Sequence, residues 1–220
     1  ARAVQTALDL GCGAGAAALC LAARVPGVAV TGLELQADYA ALARENAAEA
    51  GGAVEVLEGD VARPPAALRA RSFDHVLTNP PWHAGAAPAS PDPGRDAAQR
   101  EALPLADWID AALRRLAPGG RLTVIQRAER LGEILAALAG RAGAARVLPL
   151  APRAERPAGR VLVQARKGAK GPLVLLAPLV MHAGAAHIAD GDDFTAAAAA
   201  VLRDAAALDL ETRARRGDSR

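Results

Sequence analysis

Two stretches hold residue types whose spacing could do chemistry. The first is "TNPPWHAG", Thr78 to Gly85, which follows the apolar run "FDHVL". Proline has no backbone N–H, fixes its own φ and pushes the residue before it toward extended conformations. A strand therefore stops at Asn79, and the chain beyond is stiff, with an amide side chain and free carbonyls aimed wherever the turn points. Taken alone, Asn-Pro-Pro also serves as a strand terminator with a packed indole after it. The second stretch is "LDLGCGAGA", with Asp9, Gly11, Gly13 and Gly15, a glycine-rich turn that lets a ligand approach the backbone closely. Gly11 to Ala16 also fits the G-x-G-x-x-G/A fingerprint of dinucleotide binders, and Glu34 stands nineteen positions after Gly15, where a ribose-binding acid belongs in that fold. Against a dinucleotide stands Asp9, two residues before the first glycine, which would repel a pyrophosphate. A ligand with an ammonium group and no phosphate suits the turn better.

The elements that must position these residues follow one repeating pattern. "AVQTALDL", "VAVTGLEL", "AVEVLEGD" and "SFDHVLTN" read as strands, separated by the helices "GAAALCLAARV" and "ADYAALARENAAEA". A proline-rich loop (83–104) leads to a helix "LADWIDAALRRLA", a stop signal Pro118-Gly119-Gly120 and a strand "RLTVIQ". Such alternation predicts an α/β domain with a parallel sheet covered by helices on both faces, whose ligands bind at the carboxyl ends of the strands. Residues 1–190 are expected to form this domain, and 191–220 an alanine-rich helix with a charged, mobile tail. The segments "RLGEILAALAGRAG", "ARVLPL" and "RVLVQARKG" add a helix and a closing strand pair.

Composition narrows the function classes. Aromatics make up 2% of the 220 residues, so the core must be built from Ala, Leu and Val. Cys12 and Cys20 lack CxxC spacing, which argues against a disulfide framework and a zinc site and points to a reducing cytoplasm. No apolar run approaches the roughly 20 residues of a membrane span, because "PLVLLAPLVM" is short and broken by Pro178. Charge is unevenly placed: residues 1–60 carry eight acids against three arginines, whereas 141–170 carry eight cations against Glu155 alone. That basic block reads as a solvated face or as a footprint for phosphates.

Together "LDLGCGAG", Glu34, "EGDV" with Asp60, and "NPPW" resemble the class I S-adenosylmethionine-dependent methyltransferases, in the branch that methylates planar amino groups. The resemblance implies a Rossmann-like, seven-stranded, mostly parallel sheet. It implies S-adenosylmethionine as cofactor, with Asp9, Gly11, Gly13 and Gly15 at its methionine portion, Glu34 at the ribose hydroxyls and Asp60 at the adenine amine. It also gives "NPPW" a chemical role. A heterocyclic amine is a poor nucleophile because its lone pair is delocalised into the ring. The Asn79 amide oxygen and the Pro80 carbonyl can hold its two N–H groups out of plane, Pro80 and Pro81 keep them rigid, and Trp82 offers a stacking surface.

The C-terminal stretches "RAERLGEILAAL", "VLPLAPRAERPAGRVLVQARKG" and "PLVLLAPLVMH" resemble the bacterial tRNA(Val) adenine-N6 methyltransferase family. This implies tRNA as substrate and no metal. Two departures stand out: Trp82 replaces the usual Tyr or Phe, and the family's segment ahead of the first strand has no counterpart, so part of the lid over the cofactor is expected to be missing. Methylation of a protein glutamine or of guanine N2 in ribosomal RNA uses the same motif and stays open. A nicotinamide-dependent oxidoreductase and a non-catalytic binding module are the alternatives from other classes. His83 reads as a loop residue, and His75, His182 and His187 show no metal-ligand spacing. Cys12 reads as a small filler, Cys20 as core, Trp108 as packed, and the loop 83–100 as a substrate-side flap.

Overall fold

The computed structural model describes residues 5–81, 83–84, 100–101, 103–186 and 193–215. Strand and helix alternate from the start: β1 (Thr6–Leu10), α1 (Ala16–Arg24), β2 (Ala29–Glu34), α2 (Ala37–Glu49), β3 (Val54–Glu58), the single turn α3 (Ala66–Arg69) and β4 (Phe73–Thr78). Short strands β5 (His83–Ala84) and β6 (Arg100–Glu101) form a separate two-stranded sheet. After them come α4 (Leu105–Arg115), β7 (Leu116–Arg127), a 3-10 turn (Ala128–Arg130), α5 (Leu131–Leu138), β8 (Ala142–Ala151) and β9 (Arg160–Lys167). Strands β10 (Val174–Leu175) and β11 (Leu179–Val180) and helices α6 (Ala196–Leu202) and α7 (Leu210–Arg215) complete the chain.

The main sheet has the order β10-β8-β9-β7-β4-β1-β2-β3, with β11 also paired to β8. Strands β1 to β4 and β7 run parallel, and β9 runs antiparallel between β7 and β8. This is the class I methyltransferase arrangement with nine strands in place of the expected seven. The two extra strands come from "PLVLLAPLV". Pro178 cannot donate to a ladder, so the run divides into two pieces that pair separately with β8, Val174 beside Arg146 and Leu179 beside Leu150. Pro118-Gly119-Gly120, expected to end a helix ahead of the strand, lies inside β7 as an irregularity where the register against β4 passes from Phe73/Leu116 to His75/Arg121.

Side chains alternate between the faces of a strand, and β1 shows what this does for the site. Ala7 packs with Ala18 of α1, Val30, Ala47 of α2 and Val54. Leu8 and Leu10 face the other way, onto Ile109 and Leu113 of α4 and Ile134 of α5, together with Val76, Leu122 and Val124. Burying such leucine and isoleucine side chains contributes roughly 1.5–3 kcal/mol each, so both helical layers hold the strand ends in place. The C-terminal part is anchored as well: Leu210 is buried with Leu148, Leu176 and Leu179, and Glu211 pairs with Arg121 at 2.6 Å. Among the described residues no helix is long and apolar enough to cross a membrane.

Candidate functional site

Alternation along β1 puts Asp9 on the face of Ala7, under the start of α1, where it is 4% exposed. Burial pushes its carboxyl from 3.8 up to about 7; the Ala18 backbone N–H opposes the rise and the Glu34 charge adds to it. Its Oδ2 is buried and has no hydrogen-bond partner among the described residues. A buried acceptor left unmade costs about 1–3 kcal/mol, so this oxygen gains from any donor that reaches it.

Glu34 closes the same turn from β2. It is 7% exposed, and its two oxygens accept from the Gly13 and Gln36 N–H groups, both at 2.9 Å. The Gly11 and Cys12 N–H groups in turn donate to the Leu33 carbonyl. A Cβ on Gly13 would meet no described residue within 4 Å, which leaves open space over the turn. Cys12 is the filler anticipated: its Sγ lies 2.7 Å from where a Cβ on Gly32 would stand, and burial, then the Asp9 and Glu34 charges, push its thiol up to about 12. Cys20, expected in the core, is exposed, because α1 turns Ala18 and not Cys20 toward the sheet.

The next strand end carries Asp60. Its Oδ1 accepts from the Ala62 N–H at 2.8 Å and its Oδ2 lies 3.8 Å from the Arg63 Nε. Beside it a cavity of about 420 Å³ opens between this connection and α4, with Leu10, Val61, Ala62, Leu68, Leu103 and Asp107 in its wall.

Strand β4 delivers the Asn-Pro-Pro turn next to the glycine turn, since Thr78 and Leu10 are register partners. The Thr78 hydroxyl donates to the Leu10 carbonyl at 2.8 Å and accepts from the Trp108 Nε1–H at 2.8 Å. The Trp108 ring edge also comes within 3.0 Å of where a Cβ on Gly11 would stand, and Gly11 has φ +71°. Trp108 is thus packed as expected, and it also buttresses both turns. A buried indole N–H needs a partner, which is the signal the sequence offers for this link. Asn79 is exposed and Pro80 buried. The carbonyls of the turn are not free, contrary to the expectation from the prolines: the Gln126 Nε2 donates to the Pro80 carbonyl at 3.3 Å and to the Pro81 carbonyl at 3.2 Å. Sequence reasoning misses Gln126, whose one signal is that a polar residue ends the inward-facing series Leu122, Val124, Gln126 of "RLTVIQ". Trp82, His187 and residues 85–99 of the anticipated flap lie outside the described residues.

The basic block 141–170 does not form one surface. Because β9 is antiparallel, its first residue, Arg160, pairs with Arg127 at the carboxyl end of β7, and Arg166 pairs with Arg121 at the amino end. The Arg166 Nε donates to the Gly119 carbonyl at 3.0 Å and the Lys167 Nζ to the Leu116 carbonyl at 2.7 Å. Arg156 and Arg160 are exposed at the end of the sheet where Asn79 stands. His182 pairs with Asp193 at 2.5 Å and stacks on Phe194, and no group of residues that could hold a metal ion occurs among the described residues.

Comparison with known proteins places this geometry. A tRNA1(Val) (adenine(37)-N6)-methyltransferase of Porphyromonas gingivalis is 35% identical over 135 residues, 59% of this chain and 52% of that protein. A release factor glutamine methyltransferase of Deinococcus radiodurans is 40% identical over 86 residues, 39% of this chain and 30% of that protein. The chain spans about half the length of the tRNA-methylating relatives it matches. Among solved structures, the crystal structure of a predicted O-methyltransferase, protein Atu636 from Agrobacterium tumefaciens, aligns with a TM-score of 0.74 at 31% identity, covering 94% of this chain and 92% of that one. The family model described as "Methyltransferase small domain" matches residues 1–146. That match sets aside the dinucleotide reading of the glycine turn: the chain belongs to the methyltransferase small domain family.

Proposed function

We propose that this chain is an S-adenosylmethionine-dependent N-methyltransferase acting on an exocyclic amino group, with adenine N6 of a tRNA as its substrate and the cytoplasm as its place of action. The observation that carries this is the adjacency of two strand ends: Leu10, leading into the glycine turn, and Thr78, leading into Asn79-Pro80, are register partners tied by a hydrogen bond. The residues present fit the cofactor. Asp9 has a buried oxygen without a partner among the described residues, suited to an ammonium group, and the space that those residues leave over Gly13 admits a ligand against the backbone. A carboxylate has about four acceptor positions, so Glu34 retains capacity for ribose hydroxyls after taking two N–H groups. Asp60 stands beside a cavity of about 420 Å³ whose wall mixes apolar Leu10, Val61 and Leu103 with charged Arg63, Asp107 and Arg115, room enough for a purine.

When bound, S-adenosylmethionine supplies an electrophilic methyl group. The chain's own part is positional. The Asn79 side-chain oxygen and the Pro80 carbonyl accept the two N–H groups of the target amine and turn its lone pair out of conjugation. Prolines at 80 and 81 set that geometry before the substrate arrives. Trp82 stacks on the base, worth on the order of 1–3 kcal/mol, and a base in a stacked nucleic acid must be extruded to reach it. Exposed Arg156 and Arg160 at the same end of the sheet suit a phosphate backbone.

Mass-spectrometric nucleoside analysis of RNA from cells with and without the gene, repeated with purified protein and tRNA, tests the proposal. N6-methyladenosine should disappear with the gene and reappear with the protein. Asn79→Ala should lower the rate by about 100-fold with cofactor affinity nearly intact, since the bond is made to the substrate amine and tightens in the transition state. Methylation of a release-factor glutamine with none of tRNA would instead install the second reading, which the Deinococcus relative supports. Wild-type turnover by Asn79→Ala would refute the role of the motif.

A further inference from the structure

We infer that Gln126 is a positioning residue for methyl transfer, a clamp that aims the Pro80 carbonyl at the target amine. The inference rests on the proposal that Asn79 and Pro80 hold an exocyclic amine. The backbone after Thr78 is poorly anchored by its own chemistry: the pairing of β4 with β7 ends at Thr78 and Val124, and neither Pro80 nor Pro81 has an N–H to give to a neighbouring strand. Their carbonyls are the backbone handles left to them. Gln126 lies two residues past Val124 on β7, level with Pro80, and its Nε2 reaches both carbonyls at 3.3 and 3.2 Å.

The other end of the Gln126 amide is fixed too, because its Oε1 accepts from the Arg127 N–H at 2.8 Å. The side chain is 0% exposed, so it has no competing water and little freedom to rotate. A carbonyl oxygen has two lone pairs. With one of them engaged by Gln126 from the core side, the other is held in a fixed direction for the amine. Its inward-facing neighbours on the strand, Leu122 and Val124, are apolar core, so among the described residues the strand itself gives no reason for an amide here. A glutamine at the end of that series costs desolvation unless both of its ends are matched, and here both are.

Two variants test the clamp on purified protein with tRNA, read alongside cofactor binding and thermal melting. Gln126→Met keeps the volume and removes both bonds; kcat should fall by about 10- to 100-fold, the scale of a misplacement of about 1 Å, while KM and affinity for S-adenosylhomocysteine stay within about 3-fold. Gln126→Glu donates only while its carboxyl is protonated, so its kcat relative to wild type should fall as pH rises through the pKa of that buried group. The ratio to wild type cancels the titration of Asp9, and the charged neighbours on the same segment and the next strand, Arg127, Glu129 and Arg160, are common to both proteins. A Gln126→Met enzyme with parental kcat, or a Gln126→Glu profile parallel to wild type, overturns the inference even if the first variant fails to fold. Wild-type protein that methylates no exocyclic amine would instead remove the reading on which it rests, and the two failures are distinguished by the wild-type assay alone.

Discussion

Asp9 makes folding stability depend on pH in a direction opposite to that of most carboxylates. Its folded pKa is raised from 3.8 to about 7 by burial, with Glu34 adding to the rise. Between these values the folded protein holds a proton that the unfolded chain has released, so stability from this group is complete below pH 3.8 and is lost as pH rises through 7. Two pH units, from 5 to 7, at about 1.4 kcal/mol each amount to about 3 kcal/mol. Asp9→Asn keeps the shape and removes the titration, so its stability relative to wild type should improve by that amount between pH 5 and 8. For a domain of this size the gain corresponds to a relative rise in Tm of about 6–12 °C. Urea denaturation of both proteins at pH 5, 6, 7 and 8 measures it, and subtraction removes every other titrating group. Cofactor binding adds a second readout: an ammonium against Asp9 favours the carboxylate, so binding at pH 6 should release close to one proton in wild type and none in Asp9→Asn. Calorimetry in buffers of different ionisation enthalpy counts it. Parallel stability curves for the two proteins would refute the buried, protonated Asp9.

Two other perturbations separate the parts of the site. Trp108→Phe keeps the ring packed but removes the bond to Thr78, and should cost about 1 kcal/mol by urea denaturation and weaken cofactor binding, because Gly11 loses its buttress; unchanged affinity would make Trp108 a core residue only. Arg156→Ala with Arg160→Ala should flatten the plot of log affinity for tRNA against log salt by about 0.7–0.9 for each phosphate no longer neutralised. Arg166→Ala with Lys167→Ala should leave it unchanged, since both side chains are tied to backbone carbonyls at the opposite end of the sheet.

The features legible in the sequence are those written in local order. Glycines and prolines punctuate the strands, period-two alternation puts Asp9 on the same face of β1 as Ala7, and Asp9, Glu34, Asp60 and Asn79 each fall at a strand end because a parallel sheet brings all such ends to one edge. Other features depend on which distant segments become neighbours. Trp108 meets Thr78 across 30 residues and Gln126 meets Pro80 across 46, pairings that no periodicity encodes. The basic block reads as one run along the chain, yet an antiparallel strand carries its charges to opposite ends of the sheet, and Pro178 turns one apolar run into two strands. Cys20 has the same composition around it as Ala18, and only the docking of α1 decides which of the two is buried. Residue types and their spacing single out the groups proposed to do chemistry. Strand pairing and helix docking settled what holds them, because the hydrogen bonds that fix the Asn-Pro-Pro turn come from side chains on elements that reach it only in the folded sheet.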